Sequence, residues 1–312
     1  MSHAGTLVAP KLRGHLDARA VLVLLACCAC WGCGQVTIKI ANAGISPVLQ
    51  VALRSLLSGS LVFVWALLRG VPLFQRDRTL WPGIAVGALF GTEFALLYVG
   101  LDQTTASRGV VFLYSAPFVV ACGAHFLIPG DRLDLARTLG LAAAFVGLLV
   151  AMGESLGPSA RPTLAGDVMC LLAAVLWGAT TILVRTSALR TVAPEKTLLY
   201  QLAVSGLLLL PVSLALGEPG VTDFSLPVAL SFAYHVVLVA FVSFLAWFWL
   251  LRHYPPTRLA AFTFLVPVFG VMAGNLVLGE PFTLSLGISL ALIAGGIALV
   301  NRPAPPPVAH GP

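Results

Sequence analysis

The sequence carries little charge. Only 10% of its 312 residues are Asp, Glu, Lys or Arg, while 59% are hydrophobic, and soluble domains carry about 25% charged residues. The mean hydropathy is +0.97, and no long polar stretch separates the apolar runs. A chain of this composition lacks the polar residues needed to cover a water-soluble core. The composition therefore predicts that lipid surrounds most of the protein.

Motifs for catalysis and for metal or nucleotide binding are also missing. The sequence contains neither H-E-x-x-H nor G-x-x-x-x-G-K-[ST], and its 6 histidines are scattered. One G-x-S-x-G string, at residues 153–157, follows an apolar run rather than a strand, so we interpret it as a turn. The 6 cysteines lie in apolar runs, which favours helix packing over a disulfide framework. We expect no catalytic residue, no metal site and no cofactor.

A membrane-spanning helix needs about 20 apolar residues, and ten runs of suitable length are present. They cover residues 20–41, 47–68, 81–101, 105–127, 136–152, 165–185, 195–216, 227–251, 257–279 and 284–300. None alternates polar and apolar residues as a membrane β-strand does. The sequence therefore predicts an all-α integral membrane protein with ten transmembrane helices.

The basic residues predict the orientation. Although the net charge is +6, these residues are dispersed between the apolar runs, so we expect no nucleic-acid partner. With the N-terminus inside the cell, 14 of the 18 Lys and Arg residues fall in cytoplasmic segments, as topology rules require. We predict a multi-pass protein of the plasma (bacterial inner) membrane with both termini cytoplasmic. Four tryptophans should then form a belt at the inner interface: Trp65, Trp81, Trp247 and Trp249.

The two halves of the chain share a series of similar motifs in the same order. Trp31-Gly32 corresponds to Trp177-Gly178, and Lys39 corresponds to Arg185 at the same offset of 146 residues. Further along, Pro117 corresponds to Pro267, and an L-G pair opens both the fifth and the tenth run. Five helices per half is an odd number, so the second half must cross the membrane in the opposite sense. This is the inverted-repeat plan of many secondary transporters.

These motifs resemble the drug/metabolite transporter superfamily, specifically its ten-helix EamA branch. Two EamA-like repeats are matched, at about residues 24–152 and 166–301, although Asp131 stands where the first repeat would have Glu. The resemblance implies a basket-like bundle with a central cavity, no use of ATP, and export of amino acids, metabolites or toxic compounds. The predicted organisation is a cytoplasmic segment at 1–19, five-helix repeats at 20–152 and 165–301, an external loop at 153–164, and a disordered proline-rich tail at 302–312.

Ionisable residues inside apolar runs are costly and mark candidate functional sites. Glu93 lies roughly 18 Å from the inner edge of its span and Arg54 roughly 11 Å from the outer edge, at about 1.5 Å per residue. These depths nearly coincide, so the two could pair, with Lys39 and Arg108 as rival partners. Glu93 should point away from the packing face of Gly83, Gly87 and Gly91. It would recognise a substrate amine, couple protons, or hold a structural ion pair.

Softer candidates for the substrate or proton pathway lie at similar depth. His235 would carry a proton or simply pack, and Trp31 and Trp177 would line an aromatic pocket or pack beside their glycines. Pro117 and Pro267 should break their helices and free the carbonyls of Leu113 and Thr263. The remaining polar candidates are Gln35, Tyr114, Thr180 and Asn275.

The sequence therefore favours a secondary or facilitated transporter for a small-molecule substrate. A sugar or nucleotide-sugar exchanger is the alternative within transporters. A membrane enzyme, an ion channel, or a structural or sensing protein is the alternative outside them. Two repeats in one chain can enclose a pathway, so we expect a monomer in the lipid bilayer.

Overall fold

The computed structural model describes residues 15–104, 106–152, 164–278 and 284–302, and within these ranges the regular elements are helices. In the first half they are α1 (Ala18–Asn42), α2 (Pro47–Leu68), α3 (Leu80–Gln103), α4 (Ala106–Leu113), α5 (Ala116–Leu127) and α6 (Leu135–Met152). In the second half they are α7 (Leu164–Thr186), α8 (Pro194–Ala215), α9 (Leu226–Tyr234), a π-helical segment (His235–Ser243), α10 (Phe244–His253), α11 (Pro256–Phe262), α12 (Leu265–Leu278) and α13 (Leu284–Asn301).

Five of the described helical stretches are long and apolar enough to cross a membrane. They are Pro47–Leu68, Leu80–Gln103, Leu164–Thr186, Pro194–Ala215 and Leu226–His253. Shorter apolar helices are Ala18–Gly34, Val111–Leu127, Leu135–Val150, Pro256–Gly270 and Gly287–Asn301. The sequence prediction of an all-helical, apolar architecture is thereby confirmed.

Local chemistry sets the helix ends. The Asp17 carboxylate accepts a hydrogen bond from the Ala20 amide at 2.8 Å and caps α1. Pro47 and Pro194 open α2 and α8, where a missing N–H costs nothing. After both helices comes a glycine with positive φ, Gly70 at 65° and Gly217 at 69°.

Most helix packing joins one half of the chain to the other. The third span of each half packs on the first two spans of the other: α3 lies against α7 and α8, and the α9–α10 span lies against α1 and α2. Likewise α1 packs on α12, while α7 packs on α4 and α5. The second spans, α2 and α8, run along each other, and so do α6 and α13. The packing pattern is therefore reciprocal.

Glycines permit the closest of these contacts. On α3, a Cβ added to Gly83 would lie 2.5 Å from the Tyr200 ring, and one added to Gly87 would lie 2.5 Å from Val204. The seam predicted on α3 is therefore its contact surface with α8. The α6–α13 pair is equally tight, because a Cβ on Gly296 would lie 2.4 Å from the Gly140 carbonyl.

Two loop carboxylates also tie the halves together. Glu218, after α8, accepts hydrogen bonds from the Val48 and Leu49 amides at 2.9 Å each and so caps α2. Asp77, after α2, accepts a hydrogen bond from the buried Lys196 ammonium at 2.8 Å. Burial alone would raise the pKa of Asp77, but the bonds from Lys196 and Thr79 outweigh it and hold that pKa below its usual value.

Candidate functional site

A cavity lies within the bundle, lined by residues of α1, α2, α3, α7, α8 and α10. It has about 840 Å³ of space outside atoms, including the part open to solvent. Its wall is mostly apolar and rich in aromatic rings, with a few polar groups, which is typical of a small-molecule site. The aromatic lining residues are Trp31, Phe90, Phe94, Tyr114, Trp177, Phe244, Trp247 and Phe248.

Trp31 is the centre of the aromatic wall. Its ring centroid lies 5.3 Å from that of Trp247 and 6.4 Å from that of Trp177, both edge-on. Its indole N–H donates to the Ser243 hydroxyl at 2.7 Å, so the ring is fixed in orientation. Edge-to-face contacts of this kind add about 0.5–1.5 kcal/mol each beyond area burial. These contacts hold the Trp31 ring against its neighbours in the wall.

The repeated W-G pairs have a common structural reason. A Cβ on Gly32 would lie 2.6 Å from the Val266 carbonyl on α12, and one on Gly178 would lie 2.5 Å from Val119 on α5. In each half the glycine therefore lets the first helix touch the interrupted fourth helix of the other half, while the adjacent tryptophan faces the cavity.

Arg54 and Glu93 both line this cavity, yet they do not pair directly. Both are buried, with 1% and 5% of their surfaces exposed, but no ion pair within 4.0 Å joins them among the described residues. The Arg54 guanidinium carbon lies 4.1 Å above the Phe94 ring, and Nη1 donates to the Tyr98 hydroxyl at 3.4 Å. Its Nε and Nη2 are buried without a hydrogen-bond partner.

Three neutral polar groups add unsatisfied atoms to the cavity wall. Both amide atoms of Gln201, the Thr180 hydroxyl and Nδ1 of His235 are buried without a partner. His235 Nε2 lies 3.1 Å from the Gly34 carbonyl and 2.8 Å from the Thr37 hydroxyl. A carbonyl only accepts, so a neutral His235 that donates from Nε2 presents Nδ1 as an acceptor. Buried polar groups without partners mark a place where a ligand can bond.

The cavity brings together six of the residues singled out in the sequence: Trp31, Arg54, Glu93, Tyr114, Trp177 and His235. Thr180, a softer candidate, lies there as well. The side chains of Gln35, Lys39, Arg108 and Asn275 lie outside the described part of the structure. Glu93 faces the cavity while the glycine seam on the same helix faces α8.

One sequence expectation is corrected here, and a second is resolved between its alternatives. Trp247 was expected in the interfacial belt, but it is 6% exposed and lines the cavity. The span continues to His253, which leaves Trp247 about six residues, or roughly 9 Å, inside it. The Thr263 carbonyl, which Pro267 frees from the usual helical bond, is satisfied again by a hydrogen bond from the Val266 amide at 3.0 Å. A tight turn thus replaces the bond that Pro267 cannot make.

Pro117 and Pro267 each lie shortly after a break between two helices. α4 ends at Leu113 and α5 begins at Ala116, and Tyr114 in the gap lines the cavity. In the second half, α11 ends at Phe262 and α12 begins at Leu265. Gln201 and Phe244 are further lining residues that the sequence analysis missed. A mid-span glutamine was the available signal for the first, whereas one phenylalanine among 17 carries none.

Comparison with known proteins identifies the family. The sequence matches the EamA-like transporter family twice, over residues 18–153 and 164–302. The chain belongs to the EamA-like transporter family. This confirms the resemblance recognised in the sequence. As an EamA-like protein with long apolar helices, it is a multi-pass membrane protein of a transporter family.

Several known proteins resemble this EamA-like chain over most of its length. The uncharacterized transporter YvbV of Bacillus subtilis is 27% identical over 94% of this chain and 92% of its own length. The uncharacterized protein PA1977 of Pseudomonas aeruginosa is 30% identical, over 84% and 86%. A protein of Salmonella typhimurium named "Probable amino-acid metabolite efflux pump" is 26% identical, over 85% and 89%. A solved crystal structure shares the fold with a TM-score of 0.77 at 21% identity, covering 91% of this chain and 96% of its own.

Proposed function

We propose that this protein is a secondary or facilitated transporter that exports zwitterionic small molecules, namely amino acids, related metabolites or drug-like compounds of the same charge pattern. The observation that carries the proposal is a pair of buried ionisable residues of opposite type, Arg54 and Glu93, which line one aromatic cavity without bonding to each other. No enzymatic step and no cofactor is part of this proposal.

The free edge of Arg54 suits a carboxylate. Its Nε and Nη2 atoms, both without partners, form one of the two parallel forks that a guanidinium offers to a carboxylate. The amide of Gln201, also without partners, supplies a neutral donor and acceptor in the same cavity. A buried charge without a partner costs several kcal/mol, so a bound carboxylate recovers free energy that the empty site forgoes.

Glu93 suits the other end of such a substrate. Among the described residues no group donates a hydrogen bond to its carboxylate, which lines the cavity and can accept one from a substrate ammonium. The aromatic wall around Trp31 then takes the apolar part of the substrate, and a ring face also attracts a cation. The name of the Salmonella relative, an amino-acid metabolite efflux pump, agrees with this substrate class.

The proposal includes a ten-span architecture of two inverted five-helix units, at residues 20–152 and 165–301. The reciprocal packing of the two halves and the matching positions of Trp31-Gly32 and Trp177-Gly178 support it. We place the protein as a monomer in the bacterial inner membrane with both termini in the cytoplasm. The excess of Lys and Arg in the loops on that side supports this orientation.

The test is efflux from proteoliposomes that contain the purified protein. Three probes of similar shape show which charged group of the substrate is needed for transport. They are L-phenylalanine, phenylethylamine, which lacks the carboxylate, and phenylpropionate, which lacks the ammonium. We expect L-phenylalanine to move at least about tenfold faster than either analogue, since each analogue leaves one buried charge unpaired. A pH gradient that drives the flux identifies proton coupling, and indifference to it identifies facilitated movement.

Protein-free liposomes and an Arg54→Gln variant serve as controls. The variant should lose the preference for L-phenylalanine over phenylethylamine, because the carboxylate then gains no partner. Equal flux of all three probes through the wild-type protein would contradict zwitterion recognition. Absence of flux for amino acids of every side-chain type would contradict the proposed function itself.

A further inference from the structure

A second, smaller pocket lies at the end of the bundle where α7 and α10 end and α8 begins. It holds about 250 Å³ of space outside atoms. Its inner wall is apolar and buried, formed by residues such as Val184, Leu189 and Leu251. Three arginines line it, Arg185, Arg190 and Arg252, and none of the described lining residues is a carboxylate. The pocket is therefore strongly positive.

This pocket continues the central cavity along the same three helices. On α7, Thr181 lines the cavity and Arg185, one turn later, lines the pocket. On α8, Gln201 lines the cavity and Thr197, one turn earlier, lines the pocket. On α10, Phe248 borders both spaces. The two spaces thus lie about one helical turn, roughly 5.4 Å, apart along α7 and α8 and meet at Phe248 on α10.

Phe248 lies at the boundary between the two spaces. Its ring is 7% exposed and touches both spaces, while Arg252, one turn further along α10, lies at the pocket's end of the helix. A substrate entering the cavity from this end would meet the arginines first and then pass the Phe248 ring.

The arginines retain donors for a ligand. Arg185 Nη1 donates to the Leu251 carbonyl at 2.8 Å, but its Nε is buried without a partner. The carboxylate that interacts with Arg185 electrostatically is Asp131. Asp131 already accepts a hydrogen bond from the Thr257 amide at 3.1 Å and lies 3.7 Å from Arg137. One shared carboxylate leaves the three-arginine pocket with a positive excess, and arginine is well suited to bind carboxylate and phosphate oxygens.

We propose that this pocket is a second subsite on the transport pathway, which binds the anionic group of the substrate on the far side of Phe248 from the central cavity. This inference rests on the proposed function, since it assigns the pocket to the same substrate. A one-signed charge at the mouth of a pathway concentrates ligands of opposite charge and raises their association rate by about 10–10³-fold. The ligand chemistry is an oxyanion, for which a substrate carboxylate and a lipid phosphate are the two sources.

The transport test uses the double variant Arg190→Gln, Arg252→Gln. Within the described residues, these two arginines make no hydrogen bond that supports the fold. Efflux of L-phenylalanine is measured from neutral phosphatidylcholine vesicles at low and high salt. We expect KM to rise about tenfold with little change in kcat, and the salt dependence of kcat/KM to flatten. The matched control, Arg76→Gln with Arg132→Gln, removes two exposed arginines outside the pocket and should leave KM within about twofold.

Two results of this test overturn the proposal. One is an unchanged KM in the pocket variant. The other is a change that appears only in vesicles that contain anionic phosphatidylglycerol, because a lipid phosphate would then be the ligand instead of the substrate.

A second measurement needs no transport and therefore separates this inference from the proposed function. Thr197 is 2% exposed and lines the pocket, so a thiol introduced by Thr197→Cys is reached through the pocket. Its labelling by a negatively charged and a positively charged thiosulfonate reagent is followed by mass spectrometry. We expect the anionic reagent to react about tenfold faster, and the preference to vanish when Arg190→Gln and Arg252→Gln are added. Equal rates in the otherwise unaltered protein would overturn the pocket's anion selectivity, whatever the flux.

Discussion

At the residue scale, the central cavity is defined by polar atoms that the fold leaves without partners. Proteins satisfy nearly all buried polar atoms, yet Arg54, Gln201 and His235, which all line one cavity, each hold a buried atom without a hydrogen-bond partner. Arg54 compensates in part by stacking on Phe94. The cost of these groups is a structural reason to assign them to ligand binding rather than to stability.

Glu93 provides the sharpest residue-level prediction. Glu93→Gln keeps the shape of the side chain but removes the negative charge, so a substrate ammonium loses its partner in the cavity. We expect transport of L-phenylalanine to fall at least about a hundredfold, the equivalent of about 2.7 kcal/mol, while membrane abundance is unchanged. Proteoliposome flux and quantitative blotting measure the two quantities.

The matched control for that substitution is Glu195→Gln, a glutamate in the first turn of α8 that does not line the cavity. It should transport as the wild-type protein does. Undiminished transport in Glu93→Gln would show that Glu93 has no part in recognition or proton coupling.

Asp77 predicts a pH dependence of stability. Its pKa is lower in the folded protein than its ordinary value, so its contribution to stability is present above that ordinary value and is lost as pH falls through the folded pKa. Asp77→Asn leaves the buried Lys196 ammonium unpaired and should lower the free energy of unfolding at neutral pH by on the order of 3 kcal/mol.

Thermal unfolding in detergent between neutral pH and about pH 3 measures this effect. The wild-type protein should lose its advantage over Asp77→Asn as pH falls below about 4. Asp223→Asn, at an exposed position, serves as the control. A difference between Asp77→Asn and wild type that stays constant down to pH 3 would be inconsistent with the proposed role of the ion pair.

Cavity residues could be predicted from the sequence where a charged or titratable side chain lies in an apolar run, because burying such a group has a high free-energy cost. That argument selected Arg54, Glu93 and His235 from the sequence, and the structure places all three on the cavity. It did not select Trp247, because the sequence gives depth along a helix but not the true end of the span. It also did not select Gln201, since an uncharged amide costs less to bury than a charge.

At the scale of elements, small residues determine which helices meet. The α3–α8 contact depends on glycines whose replacement would bring a side chain within 2.5 Å of the neighbouring helix. The spacing of Gly83, Gly87 and Gly91 predicted a packing face, but not its partner. The partner follows from the fold of both halves together, which a single helix sequence does not encode.

Gly87→Ala tests the element-level argument. The new Cβ would lie 2.5 Å from Val204 and 2.7 Å from the Tyr200 carbonyl, so the helices must separate, and we expect destabilisation by about 1–3 kcal/mol. The control is Gly295→Ala on α13, where nothing lies within 4 Å of the added atom. That change should be neutral or stabilise by up to about 1 kcal/mol through helix propensity.

Thermal unfolding midpoints of the two variants make the comparison. Equal midpoints would mean that α3 and α8 adjust without cost, and the tight-seam interpretation would then be wrong.

At the scale of the whole molecule, the reciprocal packing means that the described core belongs to neither half alone. α1 contacts α9 and α12 more extensively than it contacts α2, and α6 packs chiefly on α13. We therefore predict that a chain split between residues 153 and 163 reassembles when both pieces are produced in one cell, and that each piece alone is degraded. Co-purification of a tagged first piece with the second measures reassembly.

Interface variants of the second piece make this prediction specific. Gly206→Leu should abolish co-purification, because even a Cβ at this position would lie 2.7 Å from Leu56 on α2. Gly295→Leu, at an open position, should not. Stable accumulation of either piece alone would contradict the shared core.

The same reciprocity has a consequence for synthesis in the cell. The ribosome releases α1 long before α12, its main packing partner, has been translated. Until then the first half remains in the bilayer with the Arg54 and Glu93 charges and the α3 glycine face uncovered. An insertase or membrane chaperone that shields these surfaces would therefore govern yield, and premature termination within the second half would lead to proteolysis rather than to a partly active protein.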